Sequence, residues 1–363
     1  RQNGIQEIDG ISLVISITKK AKCIKVPVDQ NEFLKLAYQS KNGKKGPVVL
    51  EIPIDIQARE IKSEIKKTQK LIFSNHNKLN TIPSSVTSLI EMAERPILLL
   101  GAGVSRQYAA SVYSSLKKLK MPIMVTWNAA DRYPAVEKNY FGRPNTWGMR
   151  YSNVILQQSD LLIAVGSRLG LQQTGFNYKE FLPVGKIIHV DLDQAELDKK
   201  TIKKSKKLNI DADYFLRYFL NNFGHKNHKD WLDYSSMIKS HLPVIELNQT
   251  GKNFISPFHF VEQVSNLATH DDIIIPCSSG GAFTVTMQTF MQKKKQFIIS
   301  NKALASMGYG LSGAIGASIA YPKKRTILFE GDGGFAQNLQ ELGTVSINNL
   351  NLKIFIFSDQ GYA

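Results

Sequence analysis

The sequence is poor in cysteine and has no long apolar run. Its 363 residues include only Cys23 and Cys277, which lie far apart without the spacing of metal ligands around either. This pattern excludes a disulfide scaffold and a zinc site, and it is typical of a protein of the reducing cytoplasm. No stretch reaches the roughly 18 consecutive apolar residues of a membrane-spanning helix, so we expect a soluble protein without a membrane partner.

Acidic residues are fewer than basic ones. The chain has 30 Asp and Glu against 46 Lys and Arg, which gives a formal net charge of +16. The positive charge is mostly lysine in separate runs, such as 199–207 and 293–295, and lacks the interleaved arginine and aromatic residues of a nucleic-acid-binding surface. We therefore expect a solvated basic surface and no nucleic-acid partner.

Apolar segments of strand length alternate with helical segments along the chain, which predicts an α/β fold of parallel sheets covered by helices. Polar stretches at 61–84 and 224–254 are interpreted as linkers, the second of which carries one helix. They leave three predicted domains of the doubly wound type, at 1–60, 85–223 and 255–363.

A G-x-G sequence, Gly101–Gly103, follows the apolar segment Pro96–Leu100 and is a candidate phosphate loop. Arg106 stands at the third glycine position of the dinucleotide-binding fingerprint. The fingerprint is therefore incomplete, which favours a plain tight turn between strand and helix over an NAD site.

The segment Thr326–Ala363 is the most informative about chemistry. It predicts a strand, a sharp turn at Gly331–Gly334, a helix from about Asn338 and a second strand that ends just before Asp359. The carboxyl ends of parallel strands meet at one edge of a sheet, where ligands bind. We therefore expect Asp332 and Asp359, 27 residues apart, to share one Mg2+. The glycines would let backbone N–H groups approach a diphosphate.

Through this G-D-G segment the sequence resembles the thiamine diphosphate-dependent enzymes, in particular the branch that contains the acetolactate synthase large subunits. The resemblance implies that Asp332 is the first Mg2+ ligand, that Asp359 replaces the second Asn of the family's Asn-Asn pair, and that Gly361 offers its backbone carbonyl. The glycines implied to face the cofactor diphosphate are Gly331, Gly333 and Gly334. Because a carboxylate beside the diphosphate adds negative charge, Asp359 is expected to raise metal dependence or to weaken cofactor binding.

The segment Ala303–Ala317 is similar to the family stretch whose bulky apolar residue holds the cofactor in a bent conformation. By that resemblance Met307 lies under the cofactor, and the backbone carbonyl of Ala305 accepts a hydrogen bond from the aminopyrimidine. The same residues are also compatible with the start of a helix packed with small side chains.

The segment Pro276–Phe283 matches the place where acetolactate synthases hold polar side chains against the diphosphate. Gly281 and Ala282 stand in place of those polar groups, so Ser278 and Ser279 are expected to make the hydrogen bonds instead. Because of this departure, the sequence predicts the cofactor more firmly than it predicts the reaction.

The rest of the chain extends the resemblance. Residues 1–60 are similar to the latter part of the family's pyrimidine-binding domain, and residues 85–223 to the Rossmann-like central domain that holds FAD in acetolactate synthases. Gly101–Gly103 and Arg168 fall at matching places, but many relatives keep this domain without the flavin, so FAD binding is left open. The first and last domains would be incomplete, and such an internal fragment is expected to be inactive alone.

The resemblance also implies a function. We expect decarboxylation of a 2-oxo acid, with pyruvate as the donor, followed by carboligation in a homodimer or tetramer whose sites lie between subunits. No catalytic residue is identified, because the family's catalytic Glu precedes the segment matched here. The alternatives are a simple 2-oxo acid decarboxylase, a carboligase of a polysaccharide-precursor pathway, and a non-catalytic cofactor-binding relative.

Overall fold

The structure is a computed structural model that describes residues 4–5, 7–26, 28–60, 81–202, 205–246 and 250–359. It divides into two compact units, Arg1–Lys78 and Leu79–Ala363. All strand pairings within the described residues are parallel, in sheets of two, five and four strands, and this pairing confirms the predicted α/β class. No helix in these parts of the chain is long and apolar enough to span a membrane.

The first unit is built around one pair of parallel strands. Its elements are α1 (Gly10–Val14), a 3-10 turn (Ile15–Ile17), β1 (Lys20–Cys23), α2 (Gln30–Tyr38), β2 (Val48–Glu51) and α3 (Ile54–Gln57). Ala21 of β1 lies opposite Val49 of β2, and α2 forms the crossover that a parallel pair requires. The side chains buried together in this unit are Ile24, Leu36 and Ile56.

A five-stranded sheet fills the first part of the second unit. Its elements are α4 (Ser84–Met92), β3 (Pro96–Leu100), α5 (Arg106–Ser111), α6 (Tyr113–Lys118), β4 (Ile123–Val125), a 3-10 turn (Trp127–Ala129), α7 (Arg150–Gln158), β5 (Leu161–Val165), β6 (Lys186–Asp191), α8 (Gln194–Leu197), β7 (Ser205–Asn209), α9 (Ala212–Phe223) and α10 (Lys229–His241). The strand order is β4-β3-β5-β6-β7. Every residue of β3 and β5 is buried, because helices cover both faces of the sheet.

Helix α10 lies in the stretch that the sequence predicts to be a polar linker with one helix. Only three of its 13 residues are buried, which explains the polar composition. One of them, Trp231, donates a hydrogen bond from Nε1 to the carbonyl of Pro96 at the start of β3, over 3.1 Å. The helix therefore packs on the five-stranded sheet through one narrow face.

A four-stranded sheet forms the rest of the second unit. Its elements are α11 (Pro257–Leu267), β8 (Ile273–Ile275), α12 (Gly280–Thr289), β9 (Phe297–Ile298), α13 (Tyr309–Ala320), β10 (Thr326–Gly331), α14 (Asp332–Ala336), a 3-10 turn (Leu339–Glu341), α15 (Leu342–Ile347) and β11 (Leu352–Phe357). The strand order is β11-β10-β8-β9. Helices α11 and α12 pack with Ile274 and Phe329 on one face, and α13 packs with Ile275 and Leu328 on the other. The sheet is therefore doubly wound.

The helix after β10 begins earlier than the sequence predicts. It starts at Asp332, directly after the strand, and not at about Asn338. Gly331 is extended at the cap position, and the carboxylate of Asp332 accepts a hydrogen bond from the N–H of Gly333 over 2.7 Å. A carboxylate in the first turn interacts favourably with the helix dipole, which offsets the low helix propensity of the glycines.

Candidate functional site

The strand order places a crevice at the carboxyl edge of the four-stranded sheet. From β8 the chain crosses to β9 on one side, and it then returns past β8 to β10 on the other side. The segments after β8 and β10 therefore diverge, which is where open α/β sheets bind ligands. The predicted site segments that leave strands at this edge are 276–279 after β8, 331–334 at the end of β10 and 358–359 after β11.

Asp332 and Asp359 lie just after two neighbouring strands. Gly331 at the end of β10 is aligned with Phe357 at the end of β11. This register brings Ser358 beside Asp332, and the Ser358 hydroxyl donates to Asp332 Oδ2 over 3.3 Å. Asp359 follows on the exposed side of the strand end. Gly361 lies outside the described residues.

The oxygen atoms at these two strand ends fit a hard divalent cation. Two carboxylates and a hydroxyl are available from Asp332, Asp359 and Ser358, and Mg2+ prefers oxygen ligands. Within the described residues no group of three or more His, Cys, Asp or Glu side chains is placed to hold a metal by itself. Water and ligand phosphate oxygens would have to complete the coordination, which is how Mg2+ is commonly bound.

The glycines of the turn serve different purposes. A Cβ atom on Gly331 would meet no atom within 4 Å, so the backbone there is open to an approaching ligand. A Cβ atom on Gly334 would instead lie 2.5 Å from Oε1 of Glu330. Gly334, which the resemblance implies to face the diphosphate, therefore makes room for a carboxyl group of the protein itself.

Glu330 is a buried carboxyl group that sequence reasoning missed. It is only 4% exposed, and its Oε1 accepts a hydrogen bond from the N–H of Gly331 over 3.2 Å. Burial raises the pKa of Glu330, and the pKa of the neighbouring Cys277 thiol is also raised by burial and by this carboxyl. The only signal in the sequence is a charged residue that closes the apolar strand β10.

The loop that carries Met307 is fixed from two sides. The Ser278 hydroxyl donates to the carbonyl of Ser306 over 2.6 Å, and Asn338 Nδ2 donates to the carbonyl of Gly308 over 2.8 Å. Ala305 has a φ of +55°, a left-handed conformation that a non-glycine residue adopts only where its surroundings impose it. Met307 itself is 45% exposed, so its side chain is available to a ligand.

Only part of the predicted diphosphate-binding segment after β8 is available to a ligand. Ser278 is 2% exposed, and its only hydroxyl hydrogen is used by the bond to Ser306, so it has no O–H left for a diphosphate. Ser279 precedes α12, whose first turn has no side-chain cap. Cβ atoms on Gly280 and Gly281 would meet nothing within 4 Å. The open, uncapped start of α12 therefore fits an anionic group.

The G-x-G turn after β3 does not present a phosphate cradle. The N–H of Gly101 donates to the carbonyl of Val165, and the N–H of Gly103 donates to the carbonyl of Gly166. A Cβ on Gly101 would lie 2.2 Å from the carbonyl oxygen of Gly166, so the glycines allow two backbone segments to touch. The geometry is that of the tight turn favoured from the sequence, and these N–H groups are not free for the phosphates of FAD or NAD.

Two family models match parts of this chain. The central domain of the thiamine pyrophosphate enzymes matches residues 84–218. The C-terminal thiamine pyrophosphate-binding domain of the same enzymes matches residues 279–363, which include the crevice residues at β10 and β11. Thiamine pyrophosphate and thiamine diphosphate are two names of one compound.

Curated relatives are similar along almost the whole chain. The acetolactate synthase isozyme 1 large subunit of Escherichia coli is 28% identical over 362 residues, which cover 99% of this chain and 63% of that protein. A probable acetolactate synthase large subunit of Methanocaldococcus jannaschii is 29% identical over 374 residues, with 99% and 62% covered. The chloroplastic acetolactate synthase 2 of Nicotiana tabacum is 27% identical over 371 residues, with 99% and 55% covered. The chain thus spans less than two thirds of the length of these relatives.

Proposed function

Because the chain belongs to the thiamine pyrophosphate-dependent enzymes and carries their central and C-terminal domains, we propose that its full-length protein decarboxylates a 2-oxo acid and ligates the product to a second carbonyl compound. Pyruvate is the proposed donor and acceptor, since two molecules of pyruvate give one acetolactate and one CO2. The proposal follows the names of the three relatives reported above, which are all acetolactate synthases. It is compatible with the geometry of the crevice.

One observation carries the proposal, namely the position of Asp332 beside Ser358 and Asp359 at the edge of the crevice. We propose that Asp332 and Asp359 bind Mg2+, and that the metal in turn holds the diphosphate of thiamine diphosphate. The open backbone at Gly331 and the uncapped start of α12 support this assignment, because both accept an anionic group without a steric clash.

The residues of the chain would position the cofactor. When bound, thiamine diphosphate supplies the electron sink that receives the electron pair left by the departing CO2. Met307 would offer an exposed apolar side chain to support the cofactor, and Ala305 would offer a backbone carbonyl on a loop held by Ser278 and Asn338. A cofactor that is held in place by such contacts has already lost part of its freedom of motion. Less entropy is therefore lost when the cofactor and the substrate react.

We propose that a second subunit completes the site, as the family resemblance implies. Exposed apolar side chains lie on the loop and helices beside the crevice: Leu304 is 83% exposed and Leu339 is 49% exposed. Apolar groups of this size at the mouth of a polar crevice are typical of a surface that is covered in the assembled protein.

The proposal predicts that full-length protein with thiamine diphosphate, Mg2+ and pyruvate releases CO2 and forms acetolactate in equal amounts. Removal of Mg2+ with a chelator should stop both, and restoring the metal should recover them. Both products are followed in one reaction, CO2 by a coupled assay and acetolactate by colour after conversion to acetoin. Release of CO2 with free acetaldehyde would favour a simple decarboxylase, and cofactor binding without either product would contradict the proposed reaction.

A further inference from the structure

Lys302 lies in a box of three aromatic side chains. Its Nζ is 4.6 Å from the ring centre of Phe283, 5.4 Å from that of Trp127 and 5.6 Å from that of Trp147. Trp127 and Phe283 are buried and pack edge to face, 5.0 Å apart. We call Lys302, Trp127, Trp147 and Phe283 the aromatic box.

The walls of the aromatic box are held by the buried packing between the two sheets of the second unit. Arg143, which is fully buried, donates hydrogen bonds to the carbonyls of Met287 and Phe290 in and after α12. Gln288 of the same helix donates to the carbonyl of Trp147 over 2.6 Å. The rings of Trp127 and Phe283 are therefore fixed by burial, and the backbone of Trp147 is held beside them.

The ammonium group of Lys302 has no anionic partner in the part of the chain that the structure describes. No carboxylate pairs with it and no carbonyl oxygen accepts from it there, and burial lowers its pKa. Ring faces attract a cation but accept its N–H groups only weakly, so a charge remains that an anion can neutralise. Lys239 shows the contrast: it lies near three rings as well, but it donates to the carbonyl of Tyr140 over 2.8 Å.

Trp127 adds a second unpaired donor to the aromatic box. Its Nε1 is buried, and within the described residues it finds no acceptor. Buried N–H groups are nearly always hydrogen-bonded, so Trp127 Nε1 lacks a partner that such a group normally has. The charge of Lys302 and the N–H dipole of Trp127 lie in one cluster without an acceptor, which favours a ligand that carries a negative charge.

The aromatic box adjoins the crevice on the side away from the acidic residues. Lys302 belongs to the same segment as Ala305 and Met307, between β9 and α13. Phe283 lies in the first turn of α12, directly after the uncapped start of that helix. The edge thus has an acidic end at Asp332, which follows β10, and a basic end at Lys302, which follows β9. This arrangement suits a cation at one end and an anion at the other.

We propose that the aromatic box is an anion subsite in which the ammonium group of Lys302 binds the oxygen atoms of a carboxylate or phosphate. This inference rests on the proposed function and adds the part of the site that recognises negative charge. Two sources supply that chemistry, the carboxylate of the 2-oxo acid and the diphosphate of the cofactor.

The test uses full-length protein with Lys302→Met, which keeps the apolar stem and removes the charge. Binding of thiamine diphosphate with Mg2+ is measured by calorimetry, and binding of pyruvate by quenching of tryptophan fluorescence, to which Trp127 and Trp147 contribute. We expect Lys302→Met to lower the affinity for one of the two ligands by about 10-fold or more, as for the loss of a charge-assisted hydrogen bond. Weaker cofactor binding identifies the diphosphate as the bound group, and weaker pyruvate binding identifies the carboxylate.

Two further variants complete the test. Lys302→Arg keeps the charge but places a larger, planar group among the rings, so its binding should fall between that of Lys302→Met and that of the wild type. Lys294→Met removes an exposed lysine whose Nζ lies 3.8 Å from the ring centre of Tyr113, and it should change neither affinity. If the wild type binds both ligands and folded Lys302→Met binds them equally well, the inference is wrong while the proposed function stands. A wild type that binds neither ligand contradicts both.

Discussion

Replacement of Asp332 by Ala is expected to abolish most of the Mg2+-dependent binding of thiamine diphosphate by the full-length protein. Asp332 is the half-buried carboxylate at the centre of the site, with Ser358 beside it. Without it the metal loses a charged ligand, and affinity should fall by about 100-fold or more, since even groups that only orient a ligand contribute about 10–100-fold. Isothermal calorimetry with a titration of Mg2+ measures this loss directly.

The control for this prediction is an exposed aspartate in the part of the second unit that holds the five-stranded sheet. Asp198 is exposed at the end of α8 and accepts a hydrogen bond from Gln194 over 2.8 Å. Asp198→Ala should leave cofactor affinity unchanged, whereas Asp332→Asn, which keeps one oxygen ligand, should fall between the wild type and Asp332→Ala. Equal affinities of Asp332→Ala and wild type would show that the diphosphate is held elsewhere.

Replacement of Gly310 by Ala is expected to destabilise the second unit strongly. A Cβ atom at this position would lie 1.8 Å from Oε2 of Glu330, which is buried and cannot move aside freely. Overpacking of this kind costs about 1–3 kcal/mol of unfolding free energy, and more where the neighbour is fixed. Urea unfolding followed by circular dichroism, on otherwise identical full-length proteins, measures the loss.

Gly316 provides the matched control for Gly310, because it lies in the same helix, α13, and a Cβ there would meet nothing within 4 Å. Gly316→Ala should be neutral or stabilise the protein by up to about 1 kcal/mol, since alanine has the higher helix propensity. Adding Glu330→Ala to Gly310→Ala should recover part of the lost stability, because the methyl group then has room. Loss of stability that is strictly additive in the double variant would contradict the contact.

The parts of the fold that the sequence predicts well are those decided by local pattern. β3 is a run of apolar residues followed by Gly101, and β10 has an apolar centre and ends at Gly331. Both form buried strands as expected. The expectation that Asp332 and Asp359 reach one edge follows from the rule that parallel strands share their carboxyl ends, and the register of β10 with β11 places both there. Local signals suffice here because strand length and turn residues set the geometry.

The contacts that the sequence does not predict join residues far apart in the chain. Glu330 occupies the space left by Gly310, 20 residues earlier, and nothing in the G-D-G pattern reveals that a carboxyl group is buried behind it. The aromatic box likewise gathers residues from around 127, 147, 283 and 302. Such clusters depend on how helices and loops pack, which periodicity and spacing do not specify.

The start of α14 is a third difference between the prediction from the sequence and the structure, and it affects the position of Asp332. Glycines in the turn predict a loop as far as about Asn338, yet the helix begins at Asp332. Contacts of α14 with β10, β11 and α13, together with the carboxylate of Asp332 in its first turn, offset the low helix propensity of Gly333 and Gly334. As a result the carboxylate of Asp332 is held at a helix start and not on a free loop.

The most direct test of the metal and cofactor site is to locate the metal. Crystals of the full-length protein with thiamine diphosphate and Mn2+ in place of Mg2+ would give an anomalous signal at the metal position. We predict one peak at coordination distance, about 2 Å, from carboxylate oxygens of Asp332 and Asp359 and from the cofactor diphosphate. A peak away from both carboxylates, or a cofactor bound without any metal at the ends of β10 and β11, would contradict the account.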